Sequence, residues 1–164
     1  MESTLIIRPL EPDDNPAIAR IIIETLAEFG FSGPGTAGSD LETASLFEYY
    51  QQSNAGYWVA EEEQVLLGGM GFSRLKGTSI EESVCELEKG YLLPHARGKG
   101  IGKRLLQQCM TAARDMGYRY MYAETTAELE SRVLLERWGF YPVAEKMGNN
   151  GHHLVTLFYL CDLV

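Results

Sequence analysis

No apolar run in the sequence approaches the roughly 20 residues that a membrane-spanning helix needs. The opening stretch Met1-Glu2-Ser3-Thr4-Leu5-Ile6-Ile7-Arg8-Pro9 lacks the basic segment and the long apolar segment of a secretory leader. A cytoplasmic protein that does not engage a membrane is therefore expected. Cysteine is scarce: Cys85, Cys109 and Cys161 are three in number, and none is spaced C-x-x-C. That excludes a disulfide framework and a zinc knuckle, and leaves buried free thiols. No set of His, Cys and Asp residues has metal-ligand spacing, so no metal is expected. There is no internal repeat, and no stretch is rich enough in Pro, Gly or Ser to act as a linker. Residues 1–164 are read as a single domain.

What is present is an ordinary globular mixture. The 164 residues (18.3 kDa) are 45% hydrophobic and 23% charged. A domain of about 150 residues buries roughly 70% of the surface its unfolded chain exposes, so a core can form without covalent staples. Lys and Arg total 14 against 23 Asp and Glu, a net charge of −9. The distribution is uneven. Between Lys89 and Arg114 stand six cations (Lys89, Arg97, Lys99, Lys103, Arg104, Arg114) and no acid, leaving 8 cations against 23 acids elsewhere, a balance of −15. An acidic chain repels nucleic-acid phosphates at long range, so no nucleic-acid partner is expected. One basic island inside it suggests a local seat for a small anion.

Periodicity and turn chemistry give the elements. Residues 3–10 read as a strand. Asp13 or Asp14 caps a helix over residues 15–29, with Ile18, Ile21, Ile22, Thr25 and Leu26 on its apolar side. Residues 30–38 form a loop, and Ser39-Asp40-Leu41-Glu42 reads as a capping box that opens a second helix to about Tyr50. A strand over 57–61 turns at Glu62-Glu63 into a partner over 65–72, where Gly68, Gly69 and Gly71 mark a bulge or a close backbone approach. Residues 84–93 form a longer strand. A helix over 100–116 carries Ile101, Leu105, Cys109, Ala112, Ala113 and Met116 on one face, and Gly117 ends it. A strand over 118–123 has Tyr118, Tyr120 and Tyr122 alternating on one face. A helix over 128–138 stops at Gly139, and closing strands over 140–146 and 153–161 flank a turn at 147–151. The order β-α-α-β-β-β-α-β-α-β-β mixes strand–helix–strand units with hairpins, which implies a mixed sheet with helices packed on it.

The chemistry-bearing stretch is Tyr91-Leu92-Leu93-Pro94-His95-Ala96-Arg97-Gly98-Lys99-Gly100-Ile101-Gly102-Lys103-Arg104-Leu105, where a strand ends and a helix begins. Helix N-termini present unpaired N–H groups and the positive end of the dipole, a site for anions. Glycine at 98, 100 and 102 lets an anion approach the backbone, and Arg97, Lys99, Lys103 and Arg104 add charge. Two rival motifs fail by counting. A P-loop aligned on Gly102-Lys103 puts Arg97 at its first glycine and Arg104 at its hydroxyl. The dinucleotide pattern G-x-G-x-x-G finds Lys103 or Leu105 where its last glycine belongs.

The pattern that fits is [QR]-x-x-G-x-[GA], through Arg97, Gly100 and Gly102. With Pro94 before it and Leu134-Leu135-Glu136-Arg137-Trp138-Gly139-Phe140 after it, the chain resembles the GNAT-type N-acetyltransferases over nearly its whole length. The resemblance implies an α/β fold with a central mixed, mostly antiparallel sheet of about seven strands flanked by about four helices. It implies an enzyme that moves an acetyl group from acetyl-CoA to a primary amine of a small molecule or peptide, by direct attack in a ternary complex. Arg97, Gly98, Lys99, Gly100, Ile101, Gly102 and Lys103 would hold the cofactor's pyrophosphate. Leu92 and Leu93 would bind its pantetheine arm through their main chain, where the strands ending at Leu93 and starting at Tyr118 splay apart. The loop 30–38 and the turn 147–151 would wall the acceptor pocket. The oligomeric state is open, a homodimer being among the arrangements allowed.

Acetyl transfer needs a neutral amine, although a free alkyl amine titrates near pH 10, so a group must take its proton. On the 84–93 strand, Cys85, Leu87, Tyr91 and Leu93 share one face and Glu86, Glu88 and Leu92 the other. Family members often carry a catalytic glutamate here, which makes Glu86 the first candidate for base and Glu88 the second. A solvated polar face is the bland alternative. Four residues before Gly139 the family often has a tyrosine that protonates the departing thiolate. This chain has Leu135 there, and Glu128 where the family often has an asparagine. Tyr122 and Tyr141 are substitutes by sequence proximity alone, and a thiolate of pKa near 8.5 can also leave unprotonated. Leu135 is the best support for the alternative, a non-catalytic acyl-CoA-binding or regulatory module. His95, His152 and His153 read as surface histidines, and no cysteine is an obvious nucleophile, so no acyl-enzyme is expected. The acidity outside the basic island favours a cationic acceptor.

Overall fold

The computed structural model describes residues 4–127 and 131–164. Among them seven strands form one sheet: β1 (Leu5–Pro9), β2 (Gly56–Glu62), β3 (Val65–Arg74), β4 (Val84–Leu92), β5 (Tyr120–Thr125), β6 (Tyr141–Val143) and β7 (Leu157–Asp162). Their spatial order is β1-β2-β3-β4-β5-β7-β6. Every pairing is antiparallel except β4 with β5. The helices are α1 (Asn15–Glu28), α2 (Leu46–Tyr49), α3 (Ile101–Asp115) and α4 (Ser131–Arg137). The mixed, mostly antiparallel sheet expected from the sequence is present.

Helix α1 packs on one face of the sheet through Ile18, Ile22 and Leu26, together with Leu46, Tyr50, Tyr57 and Val59. Helix α3 packs on the other through Ile101, Leu105, Leu106, Cys109 and Ala113, joined by Leu135 and Phe140. The helical period thus puts the expected apolar stripes inward. Met116 is the exception: it follows the last turn of α3 and is exposed.

Three local expectations are corrected. The capping box at 39–42 does not form, and the segment makes 3-10 turns before a four-residue α2. The Asp40 and Glu42 carboxylates are drawn instead to the buried Lys89, at 2.6 and 3.5 Å. Tyr118 precedes β5 and packs with the α3-side core, whereas Tyr122 lies in a separate cluster with Leu75 and Val84, against which Tyr120 packs. The closing strands are shorter than expected, β6 ending at Val143 and β7 starting at Leu157, so a long loop joins them.

The largest correction is in β4. Gly71 faces Glu88 and Gly69 faces Tyr91, so Met70 alone opposes both Lys89 and Gly90. Lys89 takes φ +50. This is a β-bulge, and one extra residue reverses which side later residues face. Tyr91 therefore packs with α1, and Leu92 packs with α3, opposite to strict alternation. The β3 glycines answer the same crowding. A Cβ at Gly71 would stand 2.4 Å from the Tyr57 ring and 2.6 Å from the Gly56 carbonyl oxygen, and one at Gly68 would stand 2.0 Å from Tyr91 O.

Gly71→Ala is expected to destabilise the fold by about 1–3 kcal/mol, because backbone as well as side chain blocks the added carbon. Urea unfolding monitored by circular dichroism measures the loss.

Candidate active site

The basic island lies where β4 gives way to α3. The Arg97 amide donates to Pro94 O at 3.3 Å, and the Arg104 amide to Gly100 O at 3.2 Å. Between them the amides of Gly98, Lys99, Gly100, Ile101, Gly102 and Lys103 have no acceptor among the described residues. Gly98 and Gly100 hold φ +75 and +80, a backbone shape that favours glycine, and a Cβ at either would meet nothing within 4 Å. The turn is thus an open row of donors at a helix N-terminus.

The Arg97 side chain is held by neighbouring residues. Its guanidinium donates to Glu28 at 2.7 and 3.1 Å, its Nε to Leu92 O at 3.0 Å, and it lies over the Phe29 ring. With its amide also engaged, Arg97 ties the turn to the end of α1. The Leu93 amide likewise donates to Leu67 O of β3, so it is turned away from the β5 side.

Beta strands 4 and 5 pair only at Val84–Tyr120, Cys85–Met121 and Glu86–Tyr122. Beyond Glu86 they part, as the resemblance implied. A cleft of about 270 Å³ is lined by Gly98, Gly100, Ile101, Gly102 and Lys103 from the turn, Gly90 and Leu92 from β4, Met70 from β3, and Ser131 and Leu134 from α4. A second cavity of about 80 Å³ lies on the α1 side, lined by Glu86, Glu88, Glu124, His152 and Thr126. Tyr91 lines both, so the two spaces meet at the bulged end of β4.

Neither β4 carboxylate is solvated: Glu86 is 4% exposed and Glu88 9%. Burial, and then the neighbouring Glu88, push the Glu86 carboxyl up to about 8, despite the opposing effect of Asn150. Glu88 accepts from Ser73 Oγ and from Tyr50 OH at 3.4 Å. Burial raises its pKa too, against the pull of Lys89. Both carboxylates line the second cavity, Glu88 bonded to side chains of the α1-side core and Glu86 to Asn150 of the β6–β7 loop. Burial alone would discharge Lys89, but Glu88 and Asp40 more than offset it and keep the ammonium charged.

Three polar residues here (Glu124, Asp40 and His152) escaped the sequence reading, and a fourth, Asn150, lies in the turn expected to wall the acceptor pocket. Asn150 Nδ2 donates to both Glu86 oxygens at 2.8 Å and to Glu124 Oε1 at 2.6 Å. His152, read as a surface residue, contacts both Asp40 oxygens at 3.0 and 2.9 Å. Glu124 fell just outside the expected strand, and Asp40 was taken for a helix cap. Glu86, Glu124 and His152 bring ligand-type atoms within 4.8 Å of one another. The Asn150 amide nitrogen sits between the two carboxylates.

The thiolate has no tyrosine to draw on at the expected position. Leu135 is buried in the core. Tyr122 donates to Glu124 at 2.6 Å, and burial followed by that bond raises its pKa. Tyr141 lies on the edge strand, bonded to Asp162. Glu128 lies outside the described residues. The hydroxyl that α4 presents to the cleft is that of Ser131, 2.7 Å from Thr125 Oγ1. All three cysteines are buried, and burial raises the pKa of each thiol. No helix among the described residues is long and apolar enough to cross a membrane.

A seven-stranded mixed sheet whose parallel pair parts over an open turn of amides is the arrangement of an acyltransferase. The sequence model of the Acetyltransferase (GNAT) family matches residues 19–140, and the chain belongs to that family. It is 40% identical to the uncharacterized N-acetyltransferase YjgM of Escherichia coli (strain K12) over 149 residues, 90% of this chain and 88% of that one. A GNAT-family acetyltransferase from Staphylococcus aureus Mu50 superposes with a TM-score of 0.84 at 18% identity, covering 98% of this chain and 100% of that one. The yncA protein of Salmonella typhimurium, a solved structure described as an acetyltransferase with its cofactor acetyl-CoA, gives 0.78 at 22% identity, covering 98% and 94%. The chain is an acyltransferase of this family.

The folded chain holds the Glu86 proton up to about pH 8, whereas an exposed glutamate releases it near 4.5. The associated stability is complete below the lower value and is lost as pH rises through the upper one. Urea unfolding between about pH 5 and about pH 8 is expected to show falling stability in the wild type and a shallower fall in Glu86→Gln.

Proposed function

We propose that the protein is a cytoplasmic enzyme that transfers the acetyl group of acetyl-CoA to a primary amine of a small molecule or peptide, by direct attack within a ternary complex. The observation that carries this reading is the parting of β4 from β5 beyond Glu86, with the unbonded amides of residues 98–103 at the larger cleft and the buried Glu86 carboxyl at the neighbouring cavity. The diphosphate of acetyl-CoA rests on the amides of residues 98–103, helped by the charges of Lys99 and Lys103. The pantetheine arm runs along the open edge of β4 at Leu92, and the thioester comes to lie beside Tyr91.

There the amine nitrogen attacks the thioester carbonyl. A carbon–nitrogen bond forms, the carbon–sulfur bond breaks, and the proton shed by nitrogen passes to the Glu86 carboxylate. Lys89 and Gly90, displaced from the β3 ladder by the bulge, supply main-chain donors where the oxyanion develops. CoA leaves as a thiolate, which is tolerable for a group of pKa near 8.5. An uncharged acid cannot act as base, so Glu86 must ionise first. An arriving ammonium favours that ionisation by charge pairing; it gives one proton to solvent before the attack, and Glu86 takes the second. The buried thiols take no covalent part.

Acetyl-CoA is expected to raise the melting temperature. Gly102→Leu, whose side chain would project between Leu92 and Leu134, should abolish that shift, because a Cβ at Gly102 already stands 3.4 Å from Leu134. No shift in the wild type at millimolar acetyl-CoA would refute the reading.

Glu86→Gln is expected to retain the shift, to lower thiol release with an accepted amine by about 10²-fold or more, and to flatten the rise of rate with pH. Wild-type binding of acetyl-CoA with no thiol release over a broad amine panel would favour a non-catalytic module.

A further inference from the structure

We propose that Glu86 and Glu124 form the seat for the acceptor's ammonium, and that Asn150 fills this seat until the acceptor displaces it. The acceptor is then a primary alkylamine with no carboxylate on the carbon that bears its nitrogen. The inference rests on the transfer reading above and adds its substrate class.

The seat is defined by what Asn150 does there. Its Nδ2 touches three carboxylate oxygens, two from Glu86 at 2.8 Å and one from Glu124 at 2.6 Å. An amide nitrogen carries two hydrogens and no net charge. An alkylammonium carries three hydrogens and a full positive charge, so it can reach all three oxygens and pair with Glu124, and with Glu86 once that carboxyl ionises, which the neutral amide cannot do. These are hydrogen-bond distances. A zinc ion would need oxygens at about 2.0–2.2 Å, a marked contraction of the nest.

A second observation points to a ligand in the same space. Thr126 lines the cavity, is 3% exposed, and its Oγ1 has no hydrogen-bond partner among the described residues. A buried hydroxyl left unpaired is costly, and an N–H of a bound amine would satisfy it.

The cations around the cavity decide the substrate class. Among the described residues Lys89 is paired with Asp40 and Glu42, and Lys146 with Glu124, while the His152 ring is hydrogen-bonded to Asp40. None is left to receive a carboxylate. An α-amino acid would bring its carboxylate beside Glu86 and Glu124 with nothing to neutralise it. Size agrees with a slender group. Where about 150 Å³ holds a benzene ring, a cavity near 80 Å³ holds an ammonium and two or three methylenes. A free alkylamine and a lysine side chain share this chemistry.

The test is calorimetric titration of the protein, without acetyl-CoA, with butylamine, with norvaline (butylamine bearing an α-carboxylate) and with a short peptide holding one internal lysine and a blocked N-terminus. Butylamine or the peptide should bind about tenfold or more tightly than norvaline, and the tighter of the two identifies the source of the amine. Glu124→Gln should weaken the preferred ligand about tenfold, Thr126→Val should weaken it by a smaller factor, and Asn150→Ala should tighten it. The acetyl-CoA melting shift should persist in all three variants, which checks that they fold. Norvaline binding as tightly as butylamine, binding unmoved by Glu124→Gln and Thr126→Val, or no binding of any of the three ligands would overturn the inference while leaving acetyl-CoA binding intact. Amine binding that follows the expected order in a protein indifferent to acetyl-CoA would uphold the seat and overturn the transfer reading alone.

Discussion

Lys89 stands at φ +50 inside an antiparallel ladder, a conformation that costs a non-glycine residue roughly 1–3 kcal/mol. The ion pairs it reaches offset that strain. Its ammonium, 1% exposed, meets Asp40 at 2.6 Å and Glu42 at 3.5 Å, and lies next to Glu88 in sequence. A lone ammonium at this depth would be far too costly, and so would the carboxylates around it. The charges are stable only as a set, and the set exists only because the extra residue in β4 brings Lys89 to the α1 side. The same extra residue sends Tyr91 toward α1 and Leu92 toward α3, so the charged chamber and the cofactor cleft meet at one point of one strand.

Much of the fold was legible because its signals are local and periodic. The apolar stripe of α1 and most of that of α3 follow the 3.6-residue repeat, and Gly117 and Gly139 fall where helices end. The donor turn was legible for a similar reason: positive φ at Gly98 and Gly100 is chemistry written at single positions. The face that Glu86 takes was legible through strand alternation, since it precedes the bulge, while its choice as candidate base came from the family resemblance.

What was missed depends on contacts between distant segments. The motif Ser39-Asp40-Leu41-Glu42 has good capping chemistry, but local preference yielded to a buried lysine 49 residues away from Asp40. The turn 147–151 was placed at the acceptor pocket only through the family resemblance; nothing local says that Asn150 bonds Glu86 and Glu124, or that the neighbouring His152 reaches Asp40. The register reversal after Lys89 has no composition signal beyond Gly90 and the β3 glycines. Face assignments past that point could not be obtained from alternation.

The link from Arg97 to Glu28 joins two regions that would otherwise be described separately. Helix α1 ends at Glu28, and the chain following it supplies Phe31, Gly35 and Thr36 to the wall of the inner chamber. Arg97 opens the run of exposed amides at the other end of the cleft. One guanidinium therefore fastens the turn of amides to the end of the helix whose following segment walls the inner chamber.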